Sequence, residues 1–259
     1  MRVLKNLVKQ IPGAKFVIRR LAEMAATIRL KIRAPQDIFT EYYESNAWGH
    51  RASRSGPGSS LEVTIEIRKA LPSVWRQLDA KTILDIPCGD FHWMKEIDLS
   101  EFYYIGGDVV GEIIENNTRR HAGKNITFGE MNIIEGPLPQ ADLIICRDCL
   151  VHFSFAHIVK SLANIRSSNS KWLMTTHFPE TKSNVEIATG QWRPVNLTLP
   201  PFNFQEPHIL LREISEKAII EMQNTEENEE FLNWMLRWKD KSLGVWKISD
   251  LPFPHDAPR

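Results

Sequence analysis

The 259-residue sequence has only three cysteines, no long apolar run and no excess of either charge. An odd number of cysteines, in apolar or turn contexts, excludes a disulfide-stapled scaffold and fits a reducing compartment. No apolar stretch approaches the roughly 20 residues of a membrane-spanning helix, and no signal-peptide pattern follows the first residues. A formal net charge of zero gives no reason to expect nucleic acid as a partner. We therefore expect a cytoplasmic globular protein.

Metal-binding patterns are also missing. Cys146 and Cys149 have C-x-x-C spacing, but the only other cysteine, Cys88, stands alone, so no second pair completes a zinc site. No acidic cluster has the spacing of metal ligands. We predict that the protein holds no metal.

The charge is balanced overall but unevenly placed. Residues 1–35 contain nine lysines and arginines against one acid, Glu23, so the rest of the chain is net acidic. Val17, Leu21, Met24 and Ile28 recur at helical spacing in this basic segment. Residues 1–34 are therefore predicted to form one or two helices, interrupted at 12–13. Such helices either contact an anionic membrane, which would place the protein peripherally at the inner face, or pack on the domain or a partner.

Short apolar runs alternate with helical patterns through the middle of the chain. The runs cover 82–86, 102–107, 125–131, 141–148 and 171–178, and weaker strand patterns follow at 210–214 and 240–248. Short runs of mainly apolar residues, without alternation of apolar and polar positions, are typical of strands buried on both faces. We predict an α/β fold with a doubly wound, mostly parallel sheet of about seven strands, in which the last strand could run parallel or antiparallel to its neighbours.

The first run ends in a carboxylate and a tight turn. Asp85 closes the strand, Pro87 cannot donate to a sheet ladder, and Gly89 lets the backbone turn or approach a ligand. Ligands bind beyond the carboxyl ends of parallel strands, where free N–H groups and helix dipoles point. A dinucleotide site would show G-x-G-x-x-G, and this turn has only one glycine.

Asp85-x-x-Cys88-Gly89-Asp90 resembles the first motif of class I S-adenosylmethionine (SAM)-dependent methyltransferases, usually an acidic residue followed by x-G-x-G-x-G. Pro87 stands in place of the first glycine and Phe91 in place of the third. The resemblance implies that these residues, Asp85, Pro87, Cys88, Gly89, Asp90 and Phe91, bind the cofactor SAM.

Two later strand ends extend the predicted cofactor site. Asp108 follows the second strand about 20 residues after the turn, where a carboxylate can accept both hydroxyls of a ribose. Asn132 follows the third strand, at the place where the resemblance implies contact with adenine, and its amide can pair with an adenine edge. It could equally be a turn residue.

The fourth and fifth strand ends supply candidates for chemistry. The pattern LP…ADLIICRDCLVHFS, with Arg147 and Asp148 at the strand end, resembles the fourth-strand region of the same family. We assign Arg147 to cofactor binding. Methyl transfer to oxygen without a metal needs a base near the acceptor, and His152, His177 and Asp148 are the candidates. Each histidine could instead be a structural hydrogen-bonding group.

Two loops are expected to border the site. Residues 46–60, rich in Gly, Pro and Ser, are read as a lid over the cofactor that offers N–H groups, hydroxyls or Arg54 to a carboxylate, or as a plain surface loop anchored by Trp48. Residues 179–206 are predicted to form the substrate-side wall, because a long loop with Trp192 and other aromatics is usually functional. Arg193 in this loop, like Arg147, could hold an acidic acceptor.

We therefore divide the chain into a basic helical extension with its lid loop (1–60) and a SAM-binding domain (61–259). Motifs at Trp48, Trp192 and 240–244 resemble a bacterial methyltransferase group of unassigned substrate, often seen with surface-polysaccharide functions. We expect a SAM-dependent methyltransferase acting on oxygen of a glycan or other small polar acceptor. The alternatives are a SAM-binding subunit without turnover and a nucleotide-sugar or NAD enzyme.

Overall fold

A computed structural model describes residues 14–49, 53–215, 219 and 229–252. The strands are β1 (Thr82–Asp85), β2 (Tyr103–Asp108), β3 (Ile126–Glu130), β4 (Leu143–Cys146), β5 (Trp172–His177), β6 (Ile209–Arg212) and β7 (Ser242–Lys247). The helices are α1 (Ala14–Lys31), α2 (Pro35–Glu44), α3 (Ile65–Gln77), α4 (Gly111–His121), α5 (Phe155–Ser167) and α6 (Glu229–Arg237). The predicted break at 12–13 lies outside the described residues.

The seven strands form one open sheet in the order β3-β2-β1-β4-β5-β7-β6. The first five strands pair in parallel, and β7 runs antiparallel to both of its neighbours, β5 and β6. The predicted doubly wound, mostly parallel sheet is confirmed, and its last strand is antiparallel. Because the chain order reverses between β1 and β4, the carboxyl ends of these two strands border a crevice.

The core lies on both faces of the sheet because successive side chains of a strand point to opposite sides. On β1, Ile83 belongs to the apolar cluster that contains the buried face of α3, whereas Leu84 belongs to the cluster that contains α5. Both faces of the central strands are therefore covered, which explains why their sequences are mainly apolar without alternation.

Local sequence signals set several element ends. The Ser154 hydroxyl accepts the N–H of His157, and this bond caps α5 as its position before the apolar pattern predicts. Between the turn after β1 and β2 the chain forms one 3-10 turn, Met94–Glu96. Phe91 has a φ of 57°, in the left-handed region, so an α-helix does not begin there.

Helices α1 and α2 precede the sheet and lie near its carboxyl edge. Arg29 of α1 pairs with Glu41 of α2, and Gln36 of α2 donates to Glu130 at the end of β3 over 3.1 Å. No helix in the described ranges is long and apolar enough to span a bilayer.

Candidate active site

A cavity of about 500 Å³ opens at the carboxyl ends of β1, β2 and β4. Its floor is the turn after β1 and the first residues after β2 and β4, and its outer wall comes from α2 and from the loops near Trp48 and Trp192. Its volume falls within the range of pockets that bind small molecules and cofactors. The sheet thus places this cavity at its topological switch point.

The turn after β1 is tied to the end of β2. The Gly89 N–H donates to Asp108 Oδ2 over 3.1 Å, and the Cys88 N–H donates to the Gly107 carbonyl over 2.8 Å. Gly89 has a φ of 55°, and a Cβ there would stand 2.4 Å from the hydroxyl oxygen of Ser55. Only glycine fits this turn, for both backbone and steric reasons.

Asp108 is buried and lines the cavity. Its second oxygen, Oδ1, accepts the Val110 N–H over 3.0 Å, so each carboxylate oxygen holds one N–H and keeps a further lone pair. Burial raises the pKa of Asp108 to about 6, against the N–H groups of Val110 and Gly89, which favour the ionised form. The carboxylate is therefore positioned to accept hydroxyl donors from a ligand.

Asp85 is a second buried carboxylate on the same floor. The Tyr104 hydroxyl donates to its Oδ2 over 2.7 Å. Burial raises the pKa of Asp85 to about 7, although the Tyr104 bond and the nearby Arg147 charge both favour ionisation. A positively charged ligand in the cavity would favour the ionised carboxylate.

Phe91, the residue in place of the third motif glycine, does not line the cavity. Its ring packs against Tyr104, His121 and Phe128 with centroids 5.1 to 5.2 Å apart, and it is 2% exposed. The left-handed backbone turns this side chain into the core. Phe91, predicted to bind the cofactor, therefore lies outside the cavity. Its ring packs in the core beneath the turn.

Residues 53–60, which we call the lid loop, are bonded directly to the turn. Asp90 accepts the Ser53 hydroxyl on one oxygen and the Arg54 N–H on the other, over 3.0 and 2.9 Å, and the Asp90 N–H donates to the Ser55 hydroxyl over 2.9 Å. The Arg54 guanidinium lies over the ring of Tyr43, 5.4 Å from its centroid, and does not line the cavity. Arg54 thus contributes its backbone, and its predicted side-chain role in the site is not seen.

The other end of the lid loop is held by Arg147. Its guanidinium donates to the Gly58 carbonyl over 2.7 Å and pairs with Glu213 at 2.5 Å, while Trp93 lies against its face at 5.2 Å. Glu213 is fully buried. Arg147 lines the cavity, but its nitrogens are bonded to protein groups, so its main role here is to anchor the lid loop.

Asp148 completes an ionic cluster with Arg147, Glu213 and Lys241. The Lys241 ammonium lies 2.6 Å from Asp148 Oδ2 and 3.2 Å from Glu213 Oε2. Burial would raise the pKa of Asp148, but the charges of Lys241 and Arg147 lower it to about 2. A carboxylate of such low pKa is a poor proton acceptor, so Asp148 fits the role of a fixed charge in the cavity better than that of a base.

His152 faces the cavity among aromatic rings. Trp48 and Phe39 lie 6.0 and 6.4 Å from its ring centroid. Its Nδ1 lies 3.1 Å from the Gln191 carbonyl oxygen, and because a carbonyl only accepts, Nδ1 carries the proton in this arrangement. Burial lowers the pKa of His152 below 6.5. The neutral ring therefore keeps an unprotonated Nε2, as a general base requires.

His177 lies elsewhere, and its predicted catalytic role is not supported by its place. It is 1% exposed, does not line the cavity, and packs edge-on against Trp246 at 5.5 Å. Its Nδ1 accepts the Leu197 N–H over 3.2 Å, and burial lowers its pKa to about 4. His177 is a neutral core histidine that holds the long loop.

The wall predicted at 179–206 contributes Gly190 and Trp192 to the cavity. Arg193, considered as an acceptor ligand, is buried, and its guanidinium donates to the carbonyls of Leu150, Phe153 and Val185 over 2.7 to 3.2 Å. It fastens the wall to the segment after β4. The long loop is therefore ordered through a buried guanidinium and not through regular structure.

Asn132 lines the cavity at the end of β3. Its Oδ1 accepts the Ile134 N–H over 2.9 Å, which makes it a turn residue, and its side-chain NH₂ has no partner among the described residues. Both predicted roles are thus compatible, since one end shapes the turn and the other is left for a ligand.

No protein-family model and no curated protein matches the chain. Solved structures match parts of it at low identity. One is magnesium protoporphyrin IX methyltransferase from Synechocystis PCC 6803 with bound SAM, at 16% identity and a TM-score of 0.43, covering 60% of this chain and 81% of that one. The same enzyme with bound SAH matches at 15% identity and a TM-score of 0.37, covering 47% and 60%.

Two further matches are human N-acetylserotonin methyltransferase in complex with SAM and N-methyltransferase NodS from Bradyrhizobium japonicum in complex with SAH. They show 16% and 14% identity with TM-scores of 0.39 and 0.42. They cover 64% and 53% of this chain and 50% and 73% of their own. The chain thus spans less than two thirds of the length of some of these proteins. The activities named here are those of the matched proteins.

Most of the predicted residues converge on one cavity. Its lining includes Asp85, Pro87, Cys88, Gly89, Asp90, Asp108, Asn132, Arg147, Asp148 and His152. Phe91, Arg54 and His177 are not brought there. Within the described ranges, no group of three or more His, Cys, Asp or Glu side chains could hold a metal ion. The cysteines are buried and free, and burial raises the pKa of Cys88 and Cys149.

Sequence reasoning missed other lining residues, including Phe39, Tyr43, Val109, Met131 and Lys241. The signal for Lys241 was its place in the recognised stretch 240–244, and the signal for Phe39 and Tyr43 was the apolar face of a helix beginning at Pro35. None of these patterns by itself points to a cavity.

Proposed function

We propose that the chain is a SAM-dependent methyltransferase that methylates a hydroxyl of a sugar, glycan or other small polar acceptor. One observation carries the proposal. Asp108 at the end of β2 is hydrogen-bonded to Gly89 in the turn after β1, and both line one cavity at the switch point of the sheet. This is the place where an open parallel sheet binds nucleosides.

The cavity residues suit SAM as the ligand. Asp108 has lone pairs for two ribose hydroxyls, the Asn132 NH₂ is available to an adenine edge, and Asp85 offers a carboxylate near a positively charged end. The turn itself supports SAM over a dinucleotide, because Asp90 and Ser55 close it where a pyrophosphate would need free N–H groups. When bound, SAM supplies a methyl group that is transferred to a nucleophile.

His152 is the proposed general base. The Gln191 carbonyl holds the Nδ1 proton, and burial keeps the ring neutral at physiological pH, so Nε2 can remove a proton from an acceptor hydroxyl. Asp148, held ionised beside Lys241, would stabilise the imidazolium that forms. In this proposal His152 accepts the proton, and the negative charge of Asp148 stabilises the protonated ring.

The wall around His152 supports a ringed acceptor with hydroxyl groups. Trp48 and Phe39 present aromatic surface beside the His152 imidazole, and Trp192, Asp148 and Lys241 line the same cavity. Aromatic faces next to polar groups suit the alternating apolar and hydroxyl surfaces of a sugar.

Isothermal titration calorimetry tests the proposal directly. We expect SAM and SAH to bind one site per chain, with NAD and a nucleotide sugar binding far more weakly. Production of SAH in the presence of a panel of sugars and nucleotide sugars then tests turnover. NAD or the nucleotide sugar binding in place of SAM would overturn the cofactor, and SAM binding without SAH production from any acceptor would favour the non-catalytic subunit.

A further inference from the structure

Helix α1 carries an apolar stripe that the described structure leaves uncovered. Its central members recur at spacings of four, three and four, which places them on one helix face. They are Val17, Leu21, Met24 and Ile28, exposed by 54, 59, 60 and 58%. Ile32 continues the face just beyond the helix and is 79% exposed. A continuous exposed apolar stripe of this kind marks an interaction surface.

Two contacts of α1 with the cavity wall lie off the stripe, and a third, the ion pair of Arg29 with Glu41, joins α1 to α2. Gln191 donates to the Thr27 hydroxyl over 3.2 Å, and Leu30 lies 3.1 Å from the point where a Cβ on Gly190 would stand. At about 100° per residue, Thr27 and Leu30 point well away from the stripe. The side of the helix that carries Thr27 and Leu30 therefore contacts the wall of the cavity, and the apolar stripe faces outward.

Charge indicates what covers this face. Arg20 and Lys31 border the stripe on one side, and Arg29, which pairs with Glu41 of α2, borders it on the other. Residues 1–35 carry nine basic residues and one acid, whereas the remainder of the chain is net acidic. This asymmetry attracts the helix toward a negative surface and repels the rest of the chain from it.

We infer that α1 docks on an anionic lipid bilayer, with its apolar stripe in the headgroup–acyl boundary and its basic borders on lipid phosphates. A second copy of the helix is a poor occupant, because it would bring two basic borders together. Because the side of α1 that carries Thr27 and Leu30 contacts Gly190 and Gln191, docking would hold the cavity wall beside the membrane surface.

Co-sedimentation of the chain with lipid vesicles tests the inference. The probes are vesicles of equal parts phosphatidylglycerol and phosphatidylcholine, and vesicles of phosphatidylcholine alone, at low and high salt. We expect binding to the mixed vesicles that falls with salt, and little binding to phosphatidylcholine. Leu21→Glu/Met24→Glu should weaken partitioning by about tenfold or more, since it places charge in the apolar stripe.

The matched control is Ala22→Glu/Ala26→Glu, which makes the same change in charge on exposed positions outside the stripe. It should retain more binding than the stripe variant, with circular dichroism showing both variants equally folded. Equal loss in both would mean that charge alone acts and would overturn insertion of the stripe. Equal binding to both vesicle types, no binding at all, or a dimer without vesicles that only the stripe variant disrupts would each overturn membrane docking.

Discussion

Arg147 and Gly58 are 89 positions apart in the chain, yet the guanidinium of Arg147 donates to the Gly58 carbonyl over 2.7 Å. The same side chain pairs with buried Glu213, which follows β6. Three separate segments therefore meet at one cation: the lid loop, the end of β4 and the segment after β6. The lid loop is held closed by a group that is itself fixed in the core.

The first prediction concerns this anchor. Arg147→Met should lower the free energy of unfolding by about 3–5 kcal/mol, because it leaves the buried Glu213 carboxylate without its main partner. Arg147→Met/Glu213→Gln should regain part of that stability, since the buried charge is gone. Urea denaturation measures both, and Arg76→Met, which breaks an exposed pair, should change the free energy of unfolding far less.

The two Arg147 variants also separate stability from anchoring. Both lack the donor to Gly58, so hydrogen exchange of the amides in residues 53–60 should be faster in both, although the double variant regains part of the lost stability. Unchanged exchange in the double variant would show that the bonds to Asp90 suffice to hold the lid loop.

The second prediction distinguishes the roles of His152, in the segment after β4, and His177, at the end of β5. His152→Gln should lower kcat by about 100-fold or more, the contribution of a general base. His177→Gln should lower stability but leave most of kcat, because His177 lies outside the cavity. Turnover is measured with the acceptor found in the sugar panel, and similar kcat losses in both variants would contradict the assignment.

The dependence of kcat on pH below neutrality follows from the same geometry. His152 must be neutral to accept a proton, and burial lowers its pKa below 6.5. We therefore expect kcat to be level above about pH 6.5 and to fall at lower pH as the ring becomes protonated. NMR titration of the imidazole protons checks this without an acceptor, with His177 titrating near 4.

The strand ends that form the floor of the site were predictable from sequence. Parallel strands buried on both faces are mainly apolar without alternation, so Asp85, Asp108 and Arg147 stand out where the runs stop. Because these strands pair in parallel, their carboxyl ends lie side by side at one edge of the sheet, independently of the loops that connect them. That is why a local pattern sufficed to predict the fold and the floor of the cavity.

The pleat at the end of β5 explains why His177 was misplaced. Its neighbour Thr176 points toward the site and accepts the Asp148 N–H over 2.7 Å, so the next side chain points to the other face. A one-residue difference in register cannot be read from an apolar run that is buried on both faces. The ionic cluster was missed because Glu213 and Lys241 come from segments distant from Arg147 and Asp148, and no local spacing encodes that meeting.

The third prediction is a pH-dependent gain from Asp85→Asn. The pKa of Asp85 rises from 3.8 to about 7 on folding, so its favourable contribution is complete below about pH 4 and lost as pH rises through 7. The variant should therefore gain stability over the parent between pH 4 and 8, by up to about 4 kcal/mol, since one pKa unit is worth about 1.4 kcal/mol. Asparagine can still accept the Tyr104 hydroxyl.

Melting temperatures at pH 5, 6, 7 and 8 measure this gain. The matched control is Asp98→Asn, on the surface, where the N–H and hydroxyl of Ser100 lower the pKa of the carboxyl. Its effect should be constant over this range because Asp98 stays ionised throughout. A difference for Asp85→Asn that does not grow with pH would mean that Asp85 is already ionised at pH 5.

The fourth prediction isolates the ribose contact. Asp108→Asn should weaken SAM, SAH and adenosine by the same factor, about 10- to 100-fold, because all three share the ribose and hydrogen bonds to a carboxylate are worth about 1.5–3 kcal/mol. The control is Glu130→Gln, since Glu130 pairs with Asp108 in register on β3 but lies outside the cavity. It removes the same charge from the same sheet edge, so calorimetry should show little change. An equal loss of affinity in both variants would mean that the negative charge at this edge of the sheet acts on the ligand over a distance. A loss of affinity for SAM without a loss for adenosine would mean that the ribose does not contact Asp108.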